Sequence, residues 1–220
     1  MRLPEFVTFT GVDEATDLLR LKSLQDRYPV EWGVLFSPAR QGDGRYPALG
    51  FVATLPNRGL RLAAHICGRH ADSVLDGSEC EPVEALPQRT FRRIQVNTAR
   101  ADAEPMEVAA FAAWVGAESG ILQCRGDAFP ADASVDWLHD TSGGRGTMPT
   151  AWPGEVTTKA FVGYAGGIGP DNALDTVRAI NVTHPAGKPY WIDMETRIRT
   201  EDVLDLDKCE AVLVSIYGRR

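Results

Sequence analysis

The sequence predicts a single (β/α)8 barrel over residues 1–220, on three observations. Short strand-like runs alternate with helix-like stretches along the whole chain. Eight such runs are present, and Thr10 to Asp193 spans 183 residues in seven steps, about 26 per strand–helix unit. Alternation at that pitch calls for parallel strands joined by right-handed crossovers, and eight units closing on themselves make a small barrel. The competing architecture, an open doubly wound sheet, is disfavoured by the even count of eight. No composition shift or linker divides the chain.

The first run, Phe6 to Thr10, leads into a helical pattern over Glu14–Arg27 opened by Asp13. The second and third are Glu31 to Phe36 and Leu60 to Cys67, and the fourth, Phe91 to Asn97, precedes a helix over Pro105–Gly116. Gly120 to Cys124 and Val135 to Asp140 are the fifth and sixth. Phe161 to Ala165 precedes a helix over Pro170–Ile180, and Tyr190 to Met194 precedes one over Glu201–Tyr217. Pro105 and Pro170 stand where a first helical turn tolerates proline. The connections after the second, fifth and sixth strands leave room only for short helices.

Composition narrows the function. With 30 Asp plus Glu against 23 Lys plus Arg, the net charge of −7 opposes nucleic-acid binding, which needs a basic face. No apolar run is long enough for a membrane span, and Met1-Arg2-Leu3-Pro4-Glu5 lacks a signal-peptide core, so a cytoplasmic location is expected. Cys67, Cys80, Cys124 and Cys209 form no CxxC pair and are read as reduced thiols.

Strand side chains alternate in direction, so each strand has a helix-facing and an interior set. Leu62, Ala64 and Ile66 suit the helix side, which leaves Ala63, His65 and Cys67 inside. By the same rule Arg93, Gln95 and Asn97 oppose Ile94 and Val96, and Trp191, Asp193 and Glu195 oppose Ile192 and Met194. Thr8 with Thr10, Gln123 with Arg125, and Leu138 with Asp140 complete the set. Catalytic groups of a barrel sit at the C-terminal ends of its strands. Thr10, His65, Cys67, Asn97, Gln123, Asp140, Asp193 and Glu195 are therefore expected to converge on one mouth. Trp114 and Trp137 read as packing residues.

Two glycine-rich loops follow the sixth and seventh strands: Asp140-Thr141-Ser142-Gly143-Gly144-Arg145-Gly146 and Ala165-Gly166-Gly167-Ile168-Gly169-Pro170-Asp171-Asn172. Glycines let a backbone approach an anion closely, and free N–H groups at a helix start favour negative charge. With Leu138-His139-Asp140-Thr141, Trp152, and Arg45-Tyr46 downstream of Ser37-Pro38, these loops resemble phosphoribosylanthranilate isomerase, an Amadori-type barrel enzyme of tryptophan biosynthesis. The resemblance is most specific over residues 138–172.

The resemblance implies Asp140 as general acid, Arg45 as a fork for a substrate carboxylate, and Gly143, Gly144, Gly166 and Gly167 as phosphate-binding positions. Two departures stand out. Thr10 occupies the place of the family's catalytic cysteine, and a threonine hydroxyl is no base near neutral pH. In the last loop Glu195-Thr196-Arg197 replaces Ser-Ser-Gly, so Glu195 repels a phosphate that Arg197 reaches toward. By face and depth His65, Cys67 or Glu195 is the candidate base. His65-x-Cys67-Gly68-x-His70 is not read as a metal site, because His70 rotates onto the next helix.

The expected function is a divergent isomerase-type barrel working without cofactor on a small anionic or sugar-phosphate-like ligand, as a monomer or homodimer. The alternatives are the authentic isomerase with an unusual base, and a barrel that binds a small ligand without catalysis. Thr10, Asn97, Gln123, Asp193, Arg45 and Arg197 are the expected substrate-binding residues.

Overall fold

The computed structural model describes residues 1–143, 145–153 and 158–219. Eight parallel strands close into a barrel in chain order. They are β1 (Val7–Thr10), β2 (Val30–Phe36), β3 (Leu62–Cys67), β4 (Arg93–Asn97), β5 (Ser119–Cys124), β6 (Asp136–His139), β7 (Val162–Ala165) and β8 (Tyr190–Met194). Closure is visible at Thr8, which stands opposite Glu31 of β2 on one side and Asp193 of β8 on the other.

The crossovers carry α1 (Leu18–Arg27), α2 (Leu49–Val52), α3 (Arg69–Leu75), α4 (Glu81–Glu84), α5 (Pro105–Trp114) and α6 (Ala173–Thr183), and α7 (Leu206–Tyr217) ends the chain. As the spacing implied, β2 is followed only by the four-residue α2, and among the described residues no helix follows β5 or β6. Among the described residues no helix is long and apolar enough to cross a membrane.

Several helix starts differ from the sequence reading, each for a local reason. Asp17, rather than Asp13, caps α1, its carboxylate accepting from the amides of Leu19 and Arg20. Pro170 lies ahead of α6, which starts after Asn172. The last helix starts at Leu206 under an Asp205 cap, because residues before it form a small antiparallel pair, β9 (Arg199–Thr200) and β10 (Val203–Leu204). Glu201 and Asp202 turn that pair with φ of 50° and 60°. Trp114 does not pack: it is 68% exposed at the end of α5.

The alternation of side chains is as expected. Leu62, Ala64, Ile66, Ile94, Val96, Ile192 and Met194 join the large apolar layer between barrel and helices. A second, smaller cluster fills the barrel itself: Ile121, Leu138, Ala165 and Trp191, with Phe6 and Phe161 against them. Trp191 fits because β7 carries Gly163 opposite it; any Cβ there overlaps the indole.

Beside this plug lies a buried ion pair. Arg93 donates to Glu31 through Nη2 (2.6 Å) and Nε (3.0 Å) and to Thr8 Oγ1 (3.3 Å). Its guanidinium stacks 4.3 Å from the Trp191 ring and 4.6 Å from that of Phe6.

Two stability outcomes follow. Arg93→Met strands the Glu31 carboxylate and is expected to cost about 3–5 kcal/mol in urea unfolding, most of it recovered when Glu31→Leu is added. Gly163→Ala is expected to cost about 1–3 kcal/mol by overpacking Trp191, read in the same assay.

Candidate active site

The C-terminal ends of the strands open into a cavity of about 320 Å³. His65, Cys67, Asn97, Gln123, Asp140, Asp193 and Glu195 line it, together with Arg197, Gly143, Gly166 and Gly167. Period-two alternation puts His65, Cys67, Asn97, Gln123, Asp140 and Asp193, from the ends of five strands, on this one surface. Thr10 lies just beneath the floor and is only 1% exposed, while Arg45 stands outside the lining. Gly144 lies outside the described residues.

The floor is a chain of polar contacts crossing four strands. Asn97 Nδ2 donates to Cys67 Sγ (3.3 Å), which fixes the amide so that Asn97 Oδ1 accepts from Gln95 Nε2 (2.8 Å). Gln95 Nε2 also donates to His65 Nδ1 (3.1 Å), so the ring carries its proton on Nε2, 3.5 Å from Thr10 Oγ1. The Thr10 hydroxyl donates to Asp193 Oδ1 (3.2 Å). Gly33 makes the crossing possible: a Cβ there would lie 2.5 Å from Thr10 Oγ1 and 3.0 Å from His65 Nε2.

Proton affinities on this floor are strongly displaced. Burial, helped by the Arg93 charge, pushes His65 down to about 3, so the imidazole is neutral and a feeble base. Burial pushes the Cys67 thiol up to about 11, so it carries no thiolate near neutral pH. Both were candidate bases, and neither environment suits that role. Asp193 is driven well above the usual carboxylate range by burial, against the pull of Arg93. Its Oδ2 is buried, has no hydrogen-bond partner among the described residues, and lies 3.9 Å from His65 Nε2.

The wall at β6 presents Asp140. Its Oδ1 accepts from the amide (2.9 Å) and the hydroxyl (2.6 Å) of Ser142, and its Oδ2 accepts from Gln123 Nε2 (3.3 Å). Beside it stands Arg125, the lining arginine with no ion-pair partner among the described residues. Its guanidinium lies so close to Gly143 (φ 58°) that a Cβ there would be 3.3 Å from Nη2.

The rim is held by ion pairs. Arg45 reaches Glu195 Oε1 (2.7 Å) and Asp202, strapping the loop after β2 to the segments after β8. Arg197 pairs with Asp171 (2.7 Å) and donates to the Gly167 carbonyl (3.0 Å). Both arginines expected to meet a ligand are thus engaged with carboxylates of the protein. The glycines after β7 answer to a close approach: a Cβ on Gly166 would lie 2.8 Å from the Thr147 carbonyl oxygen, and one on Gly167 2.6 Å from Met148 N. Asn172 staples that turn through Gly169 N (2.8 Å) and the Gly167 carbonyl (2.9 Å).

Tyr46, Ser142 and Arg125 also line the cavity without having been singled out as site residues. Arg125 was legible: it shares a face with Gln123, one pleat further toward the mouth.

No protein-family model matches the chain, and no curated protein sequence matches it. Solved structures do. The N-(5'-phosphoribosyl)anthranilate isomerase of Pyrococcus furiosus superposes with a TM-score of 0.62 at 14% identity, over 97% of this chain and 99% of that one. TrpF from Jonesia denitrificans gives a TM-score of 0.61 at 14% identity, over 97% of each chain. Phosphoribosyl anthranilate isomerase from Thermotoga maritima gives 0.59 at 14%, over 97% of this chain and 98% of that one. The chain therefore shares the barrel fold of these isomerase structures over nearly its whole length.

Proposed function

We propose that this barrel is an isomerase-type enzyme that works by acid–base chemistry, without a cofactor, on a small anionic sugar-like metabolite. The observation that carries the reading is Asp140, set in the wall of a cavity of metabolite size, with Gln123 donating to it and Asn97 in the same lining. Amide groups of that kind suit the hydroxyls of a sugar, and Arg125, without an ion-pair partner among the described residues, offers a cation to the ligand's anionic group. A structure sharing this fold is a phosphoribosyl anthranilate isomerase in complex with reduced 1-(O-carboxyphenylamino)-1-deoxyribulose 5-phosphate (TM-score 0.58, 13% identity). That ligand combines an aromatic carboxylate with a sugar phosphate, the chemical class we assign here.

In this reading Asp140 is the general acid, which protonates the ring oxygen of an aldose-type substrate. Glu195 and Asp193 line the same cavity, with Thr10 supporting Asp193 from below. Phosphate binding falls to the Gly143 and Gly166-Gly167 backbone; engagement of Arg45 or Arg197 with a ligand requires exchange of their present carboxylate partners. We place the protein in the cytoplasm, acting away from membranes and nucleic acid as a monomer or homodimer.

Two measurements test this. A divergent activity is expected to leave a tryptophan auxotroph lacking the isomerase unrescued; rescue that Asp140→Asn abolishes identifies the authentic isomerase instead. In a metabolite-pool screen with product analysis, wild-type protein is expected to convert a bound anionic sugar derivative, and Asp140→Asn to lower kcat by about 10²–10⁴-fold. A ligand that is bound and never converted refutes the enzyme reading in favour of a binding barrel.

A further inference from the structure

We propose that two copies of this chain pair through α5, antiparallel about a two-fold axis that passes beside Ala110. The inference stands apart from the isomerase-type reading and concerns the outside of the barrel.

α5 has the composition of a helix covered on every side. Between Pro105 and Trp114 only Glu107 is charged. A surface helix ordinarily turns charged and polar residues outward, and one that is apolar all round is covered. Val108, Phe111 and Ala112 face the core, and α3 packs beside the helix. The outward face carries Met106 (63% exposed), Ala110, Ala113 and Trp114 (68% exposed). On the β5 side no helix follows among the described residues. A groove of about 290 Å³ lies open there along Ala109, Ala113, Ala117 and Val135.

The register of the exposed face fits a second copy of itself. Met106, Ala110 and Trp114 are spaced four apart and form one ridge along the helix. The ridge is balanced about Ala110, with each end about 6 Å away at 1.5 Å per residue. Turned antiparallel onto itself, it sets Trp114 of one copy on Met106 of the other at both ends. Alanine then stands where the two backbones come closest. An isologous contact requires this self-complementarity. Thioether sulfur against an aromatic ring adds to the apolar gain.

The charges at the helix ends select the same pairing. Glu104 and Glu107 stand exposed at the N-terminal end, and neither has an ion-pair partner among the described residues. Arg89 lies against the C-terminal end: its amide donates to the Val115 carbonyl (3.1 Å), and a Cβ on Gly116 would be 3.1 Å from its Cγ. Arg89 is exposed and also lacks an ion-pair partner among the described residues. Antiparallel pairing brings Arg89 of each copy toward Glu104 and Glu107 of the other and opposes the two helix dipoles. Parallel pairing would set like charges together. One helix pair with its flanks falls at the small end of specific interfaces, below about 1,200 Å² in total, so the dimer is weak and reversible.

Sedimentation equilibrium of the full chain from about 1 to 500 µM is expected to show a dimer with Kd of about 1–100 µM. Trp114→Glu and Met106→Glu, both at exposed positions, are each expected to weaken it at least about tenfold with the melting temperature unchanged. Leu19→Glu, on α1, is expected to leave it alone. Arg89→Glu is expected to weaken it about three- to tenfold, and adding Glu104→Arg and Glu107→Arg to restore it. A chain still monomeric at about 500 µM overturns the proposal and leaves the face to a different protein. A dimer that Trp114→Glu and Met106→Glu leave intact overturns it, as does a triple charge reversal no tighter than Arg89→Glu alone.

Discussion

The Arg93–Glu31 ion pair is the constraint on which the rest of the interior depends. Two charges enclosed in a barrel are tolerated only when paired, and here the pair also draws on Thr8 and on the faces of Trp191 and Phe6. That arrangement fixes the residues one layer above it. Arg93 helps to keep His65 neutral and limits how far the Asp193 carboxyl rises. The apolar plug of Trp191, Phe6 and Phe161 fills the barrel beside it, and the cavity opens at the strand C-termini.

Above this base the site divides its two aspartates by environment. Asp140 sits among donors, with Ser142 and Gln123 turned toward its oxygens. Asp193 has one hydroxyl donor, and its Oδ2 is buried without a hydrogen-bond partner among the described residues. The relay from Asn97 through Gln95, His65 and Thr10 ends on the Asp193 carboxyl and ties the floor together.

Much of this was legible in the sequence because it depends on a local period. Alternation along each strand put His65, Asn97, Gln123, Asp140 and Asp193 on one surface, and the spacing of the eight runs closed the barrel. What the sequence concealed depends on contacts across long separations. Asp13 reads as a helix cap, yet it pairs with Arg199, and Asp17 caps α1 instead. Arg45 and Arg197 read as ligand contacts, but their charges go to Glu195, Asp202 and Asp171. The Gly166-Gly167 pair reads as an anion cradle, and the tight approach of Thr147 and Met148 already requires small residues there. Trp114 reads as core, and no element covers it.

The Arg45 strap gives the rim an ionic-strength dependence that the floor lacks. Arg45 joins the loop after β2 to Glu195 and to the turn between β9 and β10 through partners that are 26% and 46% exposed. Charges in that setting are screened as salt rises. The neighbouring Arg199–Asp13 pair, 3% and 6% exposed, anchors the same turn from below and is shielded from mobile ions. Added salt therefore weakens the upper tether and spares the lower one.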